Sequence, residues 1–344
     1  MRQGEAMQQL ANITVTPKPG HLFNSWSSAG QWLSNMSLSG FEIYPHGVLN
    51  AEDIPAKLVG GFHLQSFPIL TPMLYNDSSR LLKIFGDWQT VEQFYGGKDS
   101  DHIVNTMVSQ LNLAAKLNAP YAVFHPMDCD MEHLFSQNFP WTLDDTFTAC
   151  AELLNLALKR SQFKGWLLLE NMWWKQSFRL DSRQEYDDLR SRINYAKCGI
   201  CFDTGHMMAT NKSLNDESGA ISFLMNRLHQ LDLNSEIKTL HLNSNLTSDS
   251  EIKSCPSEQS QTSYQNCSEF WSQFDIALKH ISGLDPHNGF NNAELSSLIN
   301  TIEPNFLVHE VSKQNLFSWQ QAITIQQQLI SSKPKPYQIW SMSA

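Results

Sequence analysis

The sequence predicts an α/β protein built as a single (β/α)8 TIM barrel, and three observations support this prediction. Short apolar runs alternate along the chain with longer segments of helical periodicity. Eight such apolar runs can be counted. Most of them end on His, Asp or Glu, which is typical of a barrel because the carboxyl ends of its strands form the active face. A doubly wound open sheet has the same alternation, but the count of eight and the polar strand ends favour the barrel.

The first strand is predicted at residues 21–26, after a loose N-terminal leader that covers residues 1–20. Apolar residues bounded by glycine, proline or polar residues define the other seven strands. These strands are predicted at residues 40–46, 58–64, 121–126, 166–171, 200–202, 237–243 and 306–311. The barrel is therefore expected to span residues 21–332, with a C-terminal tail at residues 333–344.

Helices are predicted between the strands, where apolar residues recur every three or four positions. The helix at residues 101–118 has one clearly apolar face, and Thr142 is the expected N-cap of the helix at residues 143–159. The other helices are predicted at residues 29–36, 182–193, 222–231, 269–281 and 316–330.

Two connections are unusually long for a barrel. Residues 65–100, after strand 3, are rich in Trp, Phe, Tyr and Gly, and we interpret them as a long loop that covers the site. Residues 245–266, after strand 7, are rich in Ser, Thr and Gln and have few large apolar residues. We interpret this second segment as an exposed insertion.

Composition and charge argue against several classes of function. Hydrophobic residues make up 41% and charged residues 17% of the 344-residue chain, as in a globular protein with a sizeable core. The net charge of −10 gives no broad basic face, so a nucleic-acid partner is not expected. No run of 18 apolar residues predicts a membrane span, and residues 1–19 lack the apolar segment of a signal peptide.

Six cysteines in a chain of this length indicate a reducing, cytoplasmic setting rather than a disulfide scaffold. Cys198 and Cys201 form a CxxC pattern, which in a redox protein would lie at a helix N-terminus. Here both belong to the strand that leads to Asp203, or to its start. We therefore expect both to be core residues.

Ligand-type side chains lie at the ends of the predicted strands or in the loops just after them. Glu170 follows three leucines, and a carboxylate in that position is costly to bury unless it is paired, hydrogen-bonded or bound to a metal. Glu310 repeats this pattern at the last strand. The whole set comprises His63, His125, Glu170, Asp203, His206, His241, Asp285, His287 and Glu310.

Imidazole and carboxylate ligands without a thiolate suit Mn, Zn, Co or Fe, and no organic cofactor is indicated. Because they lie on the last four strands and can converge, Glu170, Asp203, His241 and Glu310 are predicted to bind a divalent metal. One ion can polarise a carbonyl and hydroxyl pair while a neighbouring carboxylate transfers a proton. Two or three ions can instead activate water and hold a phosphodiester. Only the site with two or three ions needs all nine residues.

Four segments resemble the xylose isomerase-like TIM-barrel superfamily, which includes sugar phosphate isomerases/epimerases and endonuclease IV. The segments are Leu168-Leu169-Glu170-Asn171, Phe202-Asp203-Thr204-Gly205-His206, Leu240-His241-Leu242-Asn243 and Val308-His309-Glu310. In the isomerase branch, the resemblance implies that Glu170 and Glu310 are an acid/base pair as well as metal ligands, and that His206 contacts substrate. In the endonuclease IV branch, it implies that His63 and His125 bind one additional zinc, and that His206, Asp285 and His287 bind another.

The chain departs from both branches at particular positions. Asn288-Gly289-Phe290-Asn291 stands where endonuclease IV carries Gly-Glu-Gly. Ketose epimerases carry a second Glu where this chain has Gln176, and an Arg where it has Thr247. Neither activity is therefore implied by a complete motif.

Trp173 and Trp174 follow Glu170 and are expected at the mouth of the barrel. Aromatic rings there can stack on a sugar face or a base and exclude water from a metal site, while simple packing is the alternative. With His63, His125 and His206, they are predicted to line the substrate pocket.

The function predicted first from these residues is metal-dependent isomerisation or epimerisation of a small sugar or sugar phosphate, with one tightly held metal. Two carboxylates that bracket a metal suit proton transfer next to a carbonyl. The first alternative is an endonuclease IV-like zinc phosphodiesterase that acts on abasic DNA. The second alternative is a non-catalytic sugar-binding barrel.

Overall fold

The computed structural model describes residues 6–16, 22–246 and 258–332. Within them, eight parallel strands close into a barrel in sequence order, so the predicted (β/α)8 fold is confirmed. The strands are β1 (Gln8–Val15), β2 (Gly40–Pro45), β3 (Val59–His63), β4 (Tyr121–Phe124), β5 (Trp166–Glu170), β6 (Cys198–Asp203), β7 (Ile237–Leu242) and β8 (Phe306–His309).

Helices of the described residues connect and surround these strands. They are α1 (Trp26–Asn35), α2 (Thr71–Leu74), α3 (Ser78–Phe85), α4 (Trp88–Tyr95), α5 (Ser100–Lys116), α6 (Met131–Ser136), α7 (Leu143–Arg160), α8 (Arg183–Ser191), α9 (Thr204–Ala209), α10 (Glu217–Leu231), α11 (Glu258–Gln265), α12 (Phe270–Leu284), α13 (Leu295–Ile302) and α14 (Leu316–Ser331). The predicted cap of α7 is confirmed, because Thr142 and Asp145 form a reciprocal capping box.

The predicted first strand is wrong. β1 is Gln8–Val15, inside the predicted leader, and it pairs with both β2 and β8. Residues 22–25 form a turn instead, with Ser25 as the N-cap of α1. The sequence signal of β1 is weak because polar residues interrupt its apolar run. Two of these, Gln9 and Asn12, contact residues of β8 or the segment after it.

The long connection after β3 is helical, so its prediction as a loop is wrong. Short helices α2, α3 and α4 fill it, and Asp77, Asp87 and Asp99 cap the starts of α3, α4 and α5. The predicted insertion after β7 lies partly outside the described residues, at 247–257, and continues as helix α11. The predicted tail at residues 333–344 also lies outside the described residues.

One layer of side chains fills the barrel interior beneath the polar strand ends. It consists of Leu10, Tyr121, Val123, Leu168, Cys201 and Val308. Tyr121 fits there because β3 has glycine at position 61, where a Cβ atom would overlap the tyrosine ring. The layer supports the residues above it, as expected for the packed core of a TIM barrel.

The cysteine prediction is confirmed as far as packing is concerned. Cys198 and Cys201 are free and buried within β6, with Cys198 in the main core and Cys201 in the barrel interior. In the described part of the chain, no helix combines the length and the apolar character needed to cross a membrane.

Candidate metal centre

The structure brings all nine predicted ligand-type residues together at the carboxyl end of the barrel. His63 ends β3, His125 follows β4, Glu170 ends β5 and Asp203 ends β6. His241 lies within β7, Glu310 follows β8, and the remaining three lie in α9 or just after α12. The strand-end pattern in the sequence therefore corresponds to a real cluster.

The central group is Glu170, Asp203, His241 and Glu310, each of which offers a ligand atom within 4.8 Å of the others. His241 Nδ1 lies 2.8 Å from Glu310 Oε2, 3.3 Å from Glu170 Oε1 and 3.9 Å from Asp203 Oδ2. Three carboxylates around one imidazole form a donor set that suits a divalent cation.

Glu170 also belongs to a second group, through its other carboxylate oxygen. Oε2 lies 2.9 Å from His125 Nε2 and 3.2 Å from His63 Nε2. The two histidine Nε2 atoms are 3.1 Å apart. Two imidazoles thus converge on Oε2 of the Glu170 carboxylate.

A third group forms around Asp285, directly after α12. Asp285 Oδ2 lies 3.4 Å from His206 Nε2 and 3.3 Å from His287 Nε2. His287 Nε2 is in turn 3.8 Å from Glu310 Oε1. The i, i+2 spacing of Asp285 and His287 therefore does bring both side chains to the same site.

Four of the five histidines are anchored by one ring nitrogen and present the other to the cluster. Nδ1 faces the carbonyl oxygen of Leu64 in His63 (3.0 Å), of Asn171 in His206 (2.8 Å) and of Asp285 in His287 (3.1 Å). In His241 the anchored atom is Nε2, 3.1 Å from a Glu42 oxygen. This arrangement of outer hydrogen bonds is typical of histidines that bind metals, because it fixes the tautomer and the ring orientation.

The pKa values of several groups in the cluster are strongly shifted, because their charges are buried together. Burial raises the pKa of Asp203 to about 7. Burial alone would lower the pKa of His206, but the carboxylates of Asp203 and Asp285 outweigh it and raise that pKa to about 10. The pKa of Glu170 is held well below its usual range, against the effect of burial, by the positive charges of His125 and His241.

Three buried carboxylate oxygens are left without hydrogen-bond partners among the described residues: Glu42 Oε1, Asp285 Oδ1 and Glu310 Oε2. Glu310 Oε2 approaches His241 Nδ1 but is not aligned for a hydrogen bond with it. An unsatisfied buried carboxylate oxygen is costly, and a cation would remove that cost. The residues present therefore fit divalent metal ions.

The chain matches the family model described as a xylose isomerase-like TIM barrel over residues 92–323, which is most of its length. The chain belongs to this family. No curated protein matches the chain.

Several solved structures are similar to this xylose isomerase-like chain. A D-tagatose 3-epimerase-like protein is 16% identical with a TM-score of 0.50, over 94% of this chain and 97% of that one. Endonuclease IV from Thermus thermophilus is 14% identical with a TM-score of 0.49, over 94% and 98%. The 3-keto-D-glucoside 4-epimerase of E. coli is 12% identical with a TM-score of 0.49, over 94% and 99%. At these identities the likeness concerns the fold alone.

Sequence reasoning missed the residues of this family member that orient the ligand-type groups. Glu42, in the middle of β2, accepts a hydrogen bond from Tyr121 (2.7 Å) and contacts His241. Asn12 of β1 donates to Glu310 Oε1 at 2.8 Å and accepts from Lys313 at 2.7 Å. A carboxylate inside a strand that is otherwise buried, as in β2, is the signal that could have found Glu42.

The segment Asp203-Thr204-Gly205-His206 is one of those that predicted the family. The hydrogen bonds of Asp203 and the close packing at Gly205 explain why these residue types are needed. Asp203 accepts a hydrogen bond from the backbone N–H of His206 (2.6 Å) and so caps α9. Asn243 donates to Asp203 Oδ2 at 2.8 Å, across the position of Gly205. Glycine is needed there because a Cβ atom would overlap the Asn243 side chain.

We expect Gly205→Ala to lower the free energy of unfolding by about 1–3 kcal/mol, because overpacking would displace Asn243 and with it Asp203. Urea denaturation of the two proteins would measure this. Gly283→Ala is the matched control, since its added methyl group meets no described atom within 4 Å beyond its chain neighbours and the backbone of its own helix. Equal stabilities of Gly205→Ala and the wild type would contradict the packing argument.

Trp173 and Trp174 lie where the sequence places them, after β5. The Trp173 ring lies 4.5 Å from the His206 ring and 4.5 Å from the Trp174 ring, centroid to centroid. Trp174 is buried, whereas Trp173 keeps some exposure beside the cluster. The predicted contact with substrate therefore stays a prediction, and Trp173 is the better placed of the two.

Proposed function

We propose that this protein is a metal-dependent hydrolase of phosphoesters whose site holds more than one divalent cation. The proposal rests on the positions of the two carboxylate oxygens of Glu170, which face different histidines. Its Oε2 faces His125 and His63 at 2.9 and 3.2 Å, while its Oε1 faces His241 at 3.3 Å. A carboxylate with its oxygens directed at separate ligand sets suits two neighbouring cations, since paired metals in hydrolases lie about 3.5–4 Å apart.

The charge of the site supports the same class of substrate. Four carboxylates, those of Glu170, Asp203, Asp285 and Glu310, take part in the three groups. A single divalent cation would leave this site negative, which suits a neutral sugar. With its imidazoles neutral, as metal binding requires, two cations would balance the four carboxylates, and three would make the site positive, so that it would attract an anion such as a phosphoester.

Bound cations would supply Lewis acidity that polarises the phosphoryl group and activates water. In the hydrolysis, the water oxygen forms a bond to phosphorus and the ester P–O bond breaks. Glu310 Oε2, which has no hydrogen-bond partner among the described residues, is suited to hold a cation, and the proton that water releases passes to solvent. Asn12 holds the other oxygen of Glu310, so Oε2 stays directed at the cluster. The leaving alkoxide takes a proton from solvent.

Isomerisation or epimerisation of a small sugar is the second candidate. The observation that favours it is the position of Glu170 and Glu310 on either side of one ligand atom, His241 Nδ1, at 3.3 and 2.8 Å. Two such carboxylates can remove and return a proton next to a carbonyl group. This chemistry needs one cation and leaves His63, His125 and His287 to contact substrate.

Metal content and turnover together distinguish the candidates. We expect the protein purified and reloaded with zinc, manganese or cobalt to hold two or three ions per chain by elemental analysis. We also expect it to release nitrophenol from p-nitrophenyl phosphate or its diester, whereas the chelator-stripped protein should not.

One ion per chain, together with solvent deuterium entering a ketose next to its carbonyl, would contradict the hydrolase proposal and support isomerisation. Saturable sugar binding without turnover, unchanged by Glu310→Gln, would support a non-catalytic sugar-binding barrel.

A further inference from the structure

Two long connections of the barrel start on opposite sides of its mouth. In a closed ring of eight strands in sequence order, β3 and β7 are four positions apart and therefore face each other across the axis. Helices α3 and α4 belong to the connection after β3, and α11 and α12 to the connection after β7. Contacts between the two connections must therefore cross the mouth or pass around it.

Aromatic side chains join the two connections. The ring of Phe270, at the start of α12, lies 4.5 Å from that of Phe85 and 5.6 Å from that of Phe94, centroid to centroid. Phe94 also lies 5.6 Å from Phe274, one turn further along α12. Such aromatic pairs stabilise by about 0.5–1.5 kcal/mol each beyond the area they bury.

The other end of α12 lies at the candidate metal centre. Asp285 directly follows the helix and contacts His206 at 3.4 Å. A helix of 15 residues is about 22 Å long, so α12 runs from the β3 side of the rim to the centre of the site. It therefore extends over the β3 side of the mouth, and we call α3, α4 and α12 the roof.

The candidate site beneath the roof is nearly closed to solvent. Side chains of Glu170, Asp203 and His241 are at most 1% exposed, and the largest exposure among the nine residues is 33%, at His287. His125 and Glu310 follow at 17% and 14%. Solvent therefore reaches the site mainly beside these three residues.

Three cations on and beside the roof lie within ion-pair distance of carboxylates of the protein, whereas Lys279 on α12 is exposed and has no such partner among the described residues. Arg80 lies 3.5 Å from Asp130, and Lys83 lies 3.0 Å from Glu132. Nearby Lys98 lies 2.9 Å from Glu92. A protein that binds DNA needs several Lys and Arg side chains free to neutralise successive phosphates.

From this geometry we infer that the roof restricts the site to small phosphoesters and excludes the abasic duplex that an open barrel mouth could bind. The inference rests on the proposed function, because it names the size of the substrate for the same hydrolysis. A duplex would have to occupy the space that α12 fills, whereas a phosphate on a small alcohol can enter beside His287.

Substrates of increasing size test this inference on the metal-loaded, full-length protein. We expect kcat/KM to fall by at least about a hundredfold from p-nitrophenyl phosphate to an oligonucleotide duplex with one abasic site. Binding is the second measurement: phenylphosphonate should quench tryptophan fluorescence, and the duplex should not compete with it. Cleavage of the duplex as fast as the small ester, or competition by the duplex, would overturn the inference while leaving hydrolysis intact. Absence of any turnover would overturn both.

Variants of the roof separate its role from that of the metal groups. Phe94→Ala removes the ring contacts of Phe94 with α12, and we expect it to raise activity on a dinucleoside phosphodiester at least fivefold relative to p-nitrophenyl phosphate. Phe94→Leu is the milder variant if the alanine protein does not fold. Trp88→Ala is the control, because Trp88 lies on the same helix but is 36% exposed. An unchanged ratio in folded Phe94→Ala or Phe94→Leu would contradict the role of the roof.

Discussion

Glu170→Gln is expected to lower turnover of the metal-loaded protein by about a thousandfold, the scale on which loss of a buried electrostatic group affects catalysis. Glutamine has almost the same shape but no negative charge, and one of its two terminal atoms can no longer bind a cation. Because Glu170 contacts both His125 and His241, we also expect elemental analysis to show fewer ions per chain.

Glu52→Gln is the matched control, since it makes the same chemical change at an exposed position in a short turn after β2. It should leave both turnover and metal content unchanged. A Glu170→Gln protein that folds, retains its metal and keeps its activity would refute the central role given to Glu170.

Removing metal from the protein is expected to lower its Tm by roughly 4–6 °C. The cluster holds several buried carboxylates that repel one another, and a cation bound only by the folded state stabilises it by mass action. At metal concentrations of 100 to 1,000 times the Kd, this stabilisation is about 2.7–4.1 kcal/mol. Thermal unfolding with and without chelator, followed by circular dichroism, would measure the change.

The double variant Asp203→Asn with Glu310→Gln is the control for that measurement. It removes two charges of the central group, so its Tm should hardly respond to added metal. A wild-type Tm that is the same with chelator and with metal would contradict tight metal binding at this site.

Most of the barrel could be predicted because its strands carry strong local signals. β5 and β6 are apolar throughout and end on carboxylates, and their predicted positions agree with the structure to within two residues. β1 could not be found in this way, because Gln9 and Asn12 are polar for reasons that lie at the other end of the chain. They contact His309 and Glu310.

The candidate site could be predicted to the same extent as the barrel. The prediction missed some of its residues for the same kind of reason. The nine ligand-type residues lie at or near strand or helix ends, so a rule about ends found them. Glu42 and Asn12 lie inside strands and act on residues that only the closed barrel brings near. The roof could not be predicted either, since the contact between Phe94 and Phe270 depends on two segments far apart in sequence.

The pairing of β1 with β8 has a consequence for how the chain folds. Ala11 and His309 are partners in that pairing although about 300 residues separate them. Synthesis at 5–20 residues per second places roughly 15–60 s between the two strands, during which the edges of β1 and of the growing sheet are unpaired. The barrel can close only when the final strand has emerged from the ribosome, and the incomplete sheet is exposed to association with other chains until then.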